Sequence, residues 1–148
     1  MKRLLDQLIV VIRYEGLLQS DIDEVVGKTK DYFRQEKFNI SEGTHKNVDV
    51  LINEPVQNDN SLKTNTEVIK KYLFIKDNLQ MVFTKNAIEM TVDAGLEYEN
   101  FQYYKKYATY IIDAINERFS DIIRYERIGV RKINSLFVRD IKKNRKLF

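Results

Sequence analysis

The amino-acid sequence predicts an α+β fold in which an antiparallel sheet packs two helices on one face. Three observations predict it: short apolar, β-branched stretches bounded by turn residues, two segments whose apolar residues recur at helical spacing, and the alternation of the two kinds along the chain. The order and the connection lengths fit a ferredoxin-like (split βαβ) arrangement with added strands. We expect one α+β domain over residues 1–138, followed by a basic tail over residues 139–148.

The amino-terminal part of the chain predicts a buried strand and then a helix. Residues 7–14 (QLIVVIRY) are apolar and rich in β-branched side chains, and Gly16 ends the run. Ser20 and the acidic residues after it are typical of a helix start, because a hydroxyl caps free N–H groups and acids favour the positive end of the helix dipole. A helix is expected over residues 21–36. Its apolar face is formed by Ile22, Val25, Val26, Thr29 and Phe33.

The middle of the chain predicts further strands around a polar segment. Residues 47–53 alternate between polar and apolar, which is typical of a strand. Residues 54–66 lack an apolar period and contain the only proline, so a long exposed loop is expected there. Three short runs separated by turns then predict a meander, over residues 72–76, 79–84 and 87–92.

The last third of the chain predicts a second helix and a final strand. Asn100 is a suitable cap for a helix that continues to about residue 119. The core stripe of this helix follows a 3.6-residue period and comprises Phe101, Tyr104, Ala108, Ile111, Ile112, Ile115 and Phe119. Residues 122–138 predict a long strand or a hairpin, interrupted at Gly129.

Composition bounds the kinds of function that are open to the chain. It has 148 residues, 43% of them hydrophobic and 32% charged, which is typical of one folded domain and of neither a disordered nor a membrane protein. There is no cysteine, which excludes disulfides, iron–sulfur clusters and cysteine nucleophiles. With a single histidine and no secretory signal pattern, we expect a cytoplasmic protein with no metal and no cofactor.

Positive charge is concentrated at the carboxyl end of the sequence. Residues 121–148 hold nine Lys or Arg against three acidic residues, a net charge of +6, and the other 120 residues have a net charge of −3. Such an end can meet an acidic partner or a phosphate backbone, and the alternative is a solvated tail. The candidate anion- or nucleic-acid-binding residues are Arg127, Arg131, Lys142, Lys143, Arg145 and Lys146.

The segment from Arg127 to Arg131 (RIGVR) is the most unusual stretch of the chain. If it is extended, residues 127, 129 and 131 point to one side, and Gly129 leaves a flat gap between two guanidinium groups. Arginine suits the recognition of carboxylate or phosphate in such a place. The alternative is a β-bulge at the glycine, with both arginines paired to acids of the same chain.

A second apolar seam runs along the second helix, away from its core stripe. Tyr103, Tyr107, Tyr110 and Ala114, which we call the tyrosine seam, fall together at a spacing of i, i+4, i+7 and i+11. Tyrosine is a favoured anchor at protein interfaces, so the seam is a candidate partner-binding surface, including that of a homodimer. Alternatively, the 54–66 loop, the tail or another strand covers the seam, or the rings stack on single-stranded bases.

Two further sets of residues are candidates for chemical sites. Asp21, Asp23 and Glu24 suggest a carboxylate metal site, but helix capping explains them, and residues two apart on a helix do not share a face. His45, expected in an exposed loop, is a candidate general base for a metal-independent ribonuclease. No phosphate-binding loop, dinucleotide fingerprint or nucleophile elbow is present in the sequence.

Three pieces of the chain resemble a sporadically distributed family of uncharacterised bacterial proteins. They are an apolar strand ending in Ile12-Arg13-Tyr14, a helix with Phe101 and Tyr104 after a meander, and residues 127–134 (RIGVRKIN), similar to the family's Arg-Ile-Gly-Leu-Arg-aromatic-Ile-Asn stretch. Here Lys132 replaces the aromatic residue, and the family's proline-rich start is missing. Family members are longer, so the resemblance implies a shortened relative. It implies accessory genes of mobile elements and no catalytic residues.

The sequence therefore favours a non-catalytic protein that binds a macromolecule. Lys, Asn and Ile supply 44 residues, a bias that suits an AT-rich bacterial genome or a phage. A small protein of such an element fits a counter-defence inhibitor of the anti-CRISPR kind, which occupies a nucleic-acid-binding effector. The alternative function is an RNA-binding or RNA-processing domain that uses the basic strand and tail. A small-molecule enzyme is the least favoured of the three, because no acid–base pair is evident.

Overall fold

Six strands and two helices make up the described part of the protein. The computed structural model describes residues 5–52, 62–95 and 98–134, giving only the backbone for residues 45–52 and 62–67. In chain order the elements are β1 (Leu5–Glu15), α1 (Gln19–Gln35), β2 (Asn39–Ile52), β3 (Leu62–Lys76), β4 (Leu79–Phe83), β5 (Ala87–Asp93), α2 (Phe101–Phe119) and β6 (Arg124–Asn134).

All six strands belong to one antiparallel sheet with the order β2-β3-β4-β5-β1-β6. The four strands between the helices form a continuous meander, and β1 lies between the last of them and β6. The predicted α+β class is confirmed. The strand order is not the ferredoxin pattern, because four strands stand where the split βαβ unit has a two-stranded hairpin.

The structure corrects two boundaries around the predicted polar loop. β2 begins at Asn39, well before the expected start at residue 47, and β3 begins at Leu62, inside the expected loop. These strand ends pair with each other over a long register, from Asn39 opposite Ile75 to Ile52 opposite Leu62. A ladder of this kind is held by backbone hydrogen bonds and needs no apolar alternation, so the composition gave no sign of it.

Both helices pack on one face of the sheet, where alternate strand residues form the core. In β1 the even-numbered residues Leu8, Val10, Ile12 and Tyr14 are buried, as alternation in a half-covered strand requires. α1 contributes the five residues that the sequence predicted, Ile22, Val25, Val26, Thr29 and Phe33. Six residues of α2 complete the core. Five belong to the predicted core stripe, and the sixth is Tyr107, which the sequence placed outside that stripe: Tyr104, Tyr107, Ala108, Ile111, Ile115 and Phe119.

The predicted start of α2 is confirmed, and the predicted start of α1 is corrected. The Asn100 side chain accepts a hydrogen bond from the Tyr103 N–H at 2.9 Å, so the predicted cap of α2 is confirmed. α1 begins two residues earlier than predicted: Leu18 is its cap residue, and the Asp21 carboxylate accepts from the Leu18 N–H at 2.8 Å. Ser20 therefore lies inside the helix, because a carboxylate three residues after the cap position satisfies the free donor instead.

Gly16 makes the tight connection between β1 and α1. Its φ is +106°, a conformation that residues with a Cβ rarely adopt. A Cβ at this position would overlap the Ile122 carbonyl oxygen, which lies in the connection from α2 to β6. The turn between β1 and α1 is thus packed directly beneath the start of the last strand.

Candidate functional site

The face of the sheet opposite the helices holds a shallow groove. Along β1 the odd-numbered residues point away from the helices, and those of β6 follow the same alternation. Between the two strands lies a groove of about 360 Å³, which we call the arginine groove. Its lining includes Ile9, Val11, Arg13, Arg127, Gly129 and Arg131.

The strand register fixes the positions of the three arginines. Arg127 lies opposite Arg13, Gly129 opposite Val11 and Arg131 opposite Ile9. The backbones of Arg13 and Arg127 are therefore direct neighbours across the two strands. Arg131 lies four residues beyond Arg127 along β6, about 13 Å away at the usual rise of a strand. As the alternation predicted, residues 127, 129 and 131 share one face. Arg13 is an addition that sequence reasoning missed as a site residue.

Gly129 gives the groove its flat centre. A Cβ built at this position meets no atom within 4 Å, so the glycine leaves open space rather than avoiding a clash. The register of β1 and β6 runs without a shift from Arg13 to Gln7, and the nearest bulge lies between Arg13 and Tyr14. The alternative of a bulge at the glycine is therefore wrong, and Gly129 continues the strand as an ordinary extended residue.

The three groove arginines lack carboxylate partners among the described residues. Other arginines of the protein are paired: Arg118 Nε lies 2.9 Å from Glu24 Oε2, and Arg124 Nη2 lies 3.0 Å from Glu15 Oε1. Within the described residues, no ion pair engages Arg13, Arg127 or Arg131. Arg13 and Arg127, which lie opposite each other on neighbouring strands, repel each other, and a bound anion relieves that repulsion.

The groove continues into a second cavity on the same face of the sheet. This cavity of about 380 Å³ shares Arg13 with the arginine groove, and Lys71 and Glu89 line it as well. No aromatic side chain lines either cavity within the described residues. The face therefore offers guanidinium groups over an aliphatic floor, and the ring stacking by which many sheet surfaces bind RNA bases has no partner in the groove.

The fold covers the tyrosine seam in part: Tyr107 is buried, whereas Tyr110 stays 36% exposed. Tyr107 is 0% exposed and packs edge-on against Phe38, with ring centroids 4.8 Å apart. Tyr110 stacks on Tyr32 of α1, with ring centroids 3.8 Å apart and an interplanar angle of 14°. Tyr103 and Ala114 are partly buried against the same core.

Intrachain cover of the seam was an open alternative in the sequence, but the covering element was not foreseen. The cover among the described residues is provided by Tyr32 of α1 and by Phe38 in the connection from α1 to β2. With Tyr107 buried, an interface through the whole seam would require the helices to separate. Partner binding and a homodimer through the exposed part of the seam remain predictions.

A lysine that the sequence analysis did not single out closes the end of the seam. Lys76 Nζ lies over the Tyr107 ring, 5.4 Å from its centroid, and donates a hydrogen bond to Tyr107 Oη at 3.2 Å. The Tyr107 hydroxyl lies 3.3 Å from Glu36 Oε2, to which it donates. Burial raises the pKa of the Tyr107 hydroxyl, so the ring stays neutral at physiological pH. This cluster fastens α2 to the end of β3.

The acidic residues of α1 serve separate contacts. Asp23 Oδ1 accepts from the Tyr72 hydroxyl at 2.6 Å and lies 3.3 Å from Lys70 Nζ, which joins α1 to β3. The hydrogen bond from Tyr72 is the largest cause that lowers the pKa of Asp23, and Lys70 acts in the same direction. Among the described residues, no three acidic or histidine side chains come together as metal ligands would.

Several predicted site residues fall where the structure gives no side-chain geometry. Lys142, Lys143, Arg145 and Lys146 lie outside the described residues, as do the domain boundary at residue 138 and the tail. His45 lies in β2, which corrects its placement in a loop, and only its backbone is described. Their roles stay predictions.

The comparisons with known proteins were negative. No family model matches the chain, and no curated protein matches its sequence. Within the described residues, neither helix has the length and apolar composition needed to cross a bilayer.

Proposed function

We propose that this protein is a non-catalytic binding protein that takes up an acidic segment of a protein partner in the arginine groove. The observation that carries the proposal is the convergence of Arg13, Arg127 and Arg131 on one face, without carboxylate partners among the described residues. A guanidinium group presents two parallel N–H donors, which match the two oxygens of a carboxylate.

The character of the groove floor favours a protein partner over a nucleic acid. Ile9 and Val11 form an aliphatic floor, which is suited to the apolar parts of a peptide. Glu89 lines the adjoining cavity and would repel a phosphate chain that ran along the face. A peptide can present its acids to the arginines and a neutral or basic residue to Glu89.

The titratable groups with shifted pKa values support a non-catalytic role. Asp23, Tyr72 and Lys70 are engaged with one another between α1 and β3, and Tyr107 is engaged with Lys76 under the helices. These contacts lie on the helix side of the sheet, opposite the arginine groove. Their shifts are accounted for by the packing of helices on the sheet, as in many structural networks.

The test uses a defined acidic polymer as the probe. Fluorescein-labelled poly-L-glutamate of about 20 residues is titrated with the protein and followed by fluorescence anisotropy. We expect the double variant Arg127→Gln/Arg131→Gln to bind at least tenfold more weakly. The matched control, Lys28→Gln/Arg34→Gln on the exposed side of α1, removes the same charge and should change binding less than twofold. Equal losses in both variants, or no binding of the polymer, would refute the proposal.

An RNA-binding function is the second candidate, and the same three arginines support it together with the basic composition of residues 121–148. The probe is a labelled 20-nucleotide oligouridylate. If the three arginines contact phosphates, affinity should fall about 20-fold between 50 and 200 mM salt, since each contact releases a counterion. Binding that is tighter than that of polyglutamate and that depends on Arg127 and Arg131 would replace the first proposal by this one.

The more specific expectations from the sequence stay predictions. They are the resemblance to the bacterial family, the mobile-element origin and the counter-defence role. Nucleic-acid channels of RNA-guided effectors are positively charged, so the arginine groove would repel such a channel. A counter-defence inhibitor of this sequence would therefore have to contact the channel through a surface other than the arginine groove.

A further inference from the structure

The last strand of the sheet has one edge without a strand partner in the described residues. β6 ends the strand order and pairs with β1 alone. Its two faces differ in character. Arg127 and Arg131 line the arginine groove, while Ile128 and Val130 alternate with them and stay 69% and 54% exposed. An edge strand with exposed apolar side chains is a template for the addition of another strand.

The exposure of Ile128 and Val130 follows from the position of the helices. Their cross-strand neighbours on β1 are Ile12 and Val10, which are only 9% and 7% exposed beneath the helices. The helices therefore cover the sheet as far as β1 and the beginning of β6, where Tyr125 bonds Asn116 of α2, and leave the same face of β6 open at Ile128 and Val130. Two apolar side chains beside a covered core form a ledge onto which a further strand can pack.

We infer that β6 is the docking edge for an extended segment of the partner, which adds as a seventh strand and alternates acidic with apolar residues. The inference rests on the proposed function and specifies the partner segment. Side chains of a strand alternate with a period of two. A segment paired with β6 thus turns its acids toward Arg127 and Arg131 and its apolar residues toward Ile128 and Val130.

Charge selects an acidic partner over the two other occupants of this edge. Two β6 strands paired antiparallel about Gly129 would set Arg127 of one copy opposite Arg131 of the other, and like charges in opposed positions destabilise a sheet. Residues 139–148 of this chain hold five Lys or Arg against one acid, so they match the edge poorly. An acidic, apolar segment satisfies both faces.

The experiment uses the full chain and designed nine-residue peptides, with anisotropy as the readout. The parent peptide alternates Glu and Val, and a block peptide has the same composition with its acids together. Two further versions are N-methylated on all valines or on all glutamates. Because alternate N–H groups of a strand point to the same side, we expect one methylated version to bind like the parent and the other at least tenfold more weakly.

Two more measurements separate the inference from the proposed function. Ile128→Ser, at a position that does not line the arginine groove, should weaken the parent peptide at least fivefold and leave polyglutamate unchanged. Amide hydrogen exchange within residues 124–134 should slow at least tenfold when the parent peptide binds. Equal binding of all four peptides, with polyglutamate still dependent on Arg127 and Arg131, would overturn strand addition and leave the groove proposal standing. Slow hydrogen exchange, in the free protein, of the β6 amides that point away from β1 would also overturn strand addition. The edge would then be occupied by a second copy or by another part of this chain.

Discussion

The tyrosine seam and the β6 strand were both surplus to the predicted core, and the fold treats them in opposite ways. The seam is covered by α1, whose Tyr32 stacks on Tyr110, and its central residue Tyr107 is fully buried. On β6, Ile128 remains 69% exposed and Arg127 and Arg131 face the open groove. An apolar pattern therefore shows that a surface can be buried, and the topology decides what buries it.

The difference follows from the position of each element in the fold. α2 has a second helix beside it, so a second apolar stripe on α2 meets the last turn of a neighbour within the same chain. β6 is the last strand of the sheet, and α2 contacts it at its beginning, where the Tyr125 hydroxyl donates to Asn116 Oδ1 at 2.7 Å, while Ile128 and Val130 stay exposed. A second apolar stripe on a helix is thus poor evidence for a protein partner. An edge strand that exposes charged side chains on one face and apolar side chains on the other is better evidence.

The strongest way to break this comparison is to truncate Tyr107. We expect Tyr107→Ala to lower the free energy of unfolding by about 3–5 kcal/mol, because a fully buried ring leaves a cavity between α2 and Phe33 and Phe38. Arg131→Ala, on the open face, should change it by less than about 0.5 kcal/mol. Urea unfolding followed by circular dichroism measures both. Similar small effects of the two substitutions would mean that the seam is not part of the core.

Two glycines sharpen the contrast at the level of the backbone. Gly16→Ala should cost at least about 2 kcal/mol, because the residue has a positive φ and its Cβ would overlap the Ile122 carbonyl oxygen. Gly129→Ala meets open space and should stay within about 0.5 kcal/mol of the parent. Thermal melts of the two variants provide the comparison. A large loss for Gly129→Ala would place an unseen contact in the arginine groove.

A smaller effect is expected from the hydroxyl of Tyr107 alone. Tyr107→Phe keeps the ring in the core and removes the hydrogen bonds with Lys76 and Glu36, so the free energy of unfolding should fall by about 1 kcal/mol. Combining Tyr107→Phe with Lys76→Met in a double-mutant cycle isolates the pair. Strict additivity of the two substitutions would show that Lys76 does not interact with this hydroxyl.

The smallest expected effect is a pH dependence of the free energy of unfolding, caused by Asp23 on the helix side of the sheet. The hydrogen bond from Tyr72 and the charge of Lys70 lower the pKa of Asp23 in the folded state. Its contribution to stability is therefore fully present above the unfolded pKa, about 3.9, and is lost as the pH falls through the lowered folded pKa. Unfolding by urea at a series of pH values from about 6 down to 2 measures this slope. Asp23→Asn should flatten it, and an unchanged slope in that variant would assign the dependence to other carboxylates.

The local elements of the fold could be predicted from the sequence because their causes are local. The apolar period of α1 and α2 identified their buried faces, and Asn100 identified the start of α2. Residues 127, 129 and 131 share one face, as strand alternation required. The start of β2 was predicted too late, since its early part is mostly polar and pairs with β3 through a backbone ladder that needs no apolar alternation in the sequence.

The parts of the site that sequence reasoning missed depend on contacts between distant segments. Arg13 lines the groove because β1 pairs with β6, and the sequence around residue 13 does not indicate that pairing. Lys76 lies at the end of a strand, where a lysine is ordinarily solvated, and the tertiary contact with Tyr107 gives it a structural role. A weak signal for Arg13 was present: a single basic side chain in an otherwise apolar strand.

The pairing of β1 with β6 also has a consequence for the way the chain reaches its folded state. Register partners such as Gln7 and Ile133 are more than a hundred positions apart, whereas the strands of the meander pair with their immediate neighbours. During synthesis the meander can assemble early and take up β1 through its pairing with β5, whereas β6 can join only after residues 124–134 have left the ribosome. Closure of so long a loop is slow, so the final rate-limiting event of folding should be the docking of β6, and an incomplete chain would present β1 as an aggregation-prone edge.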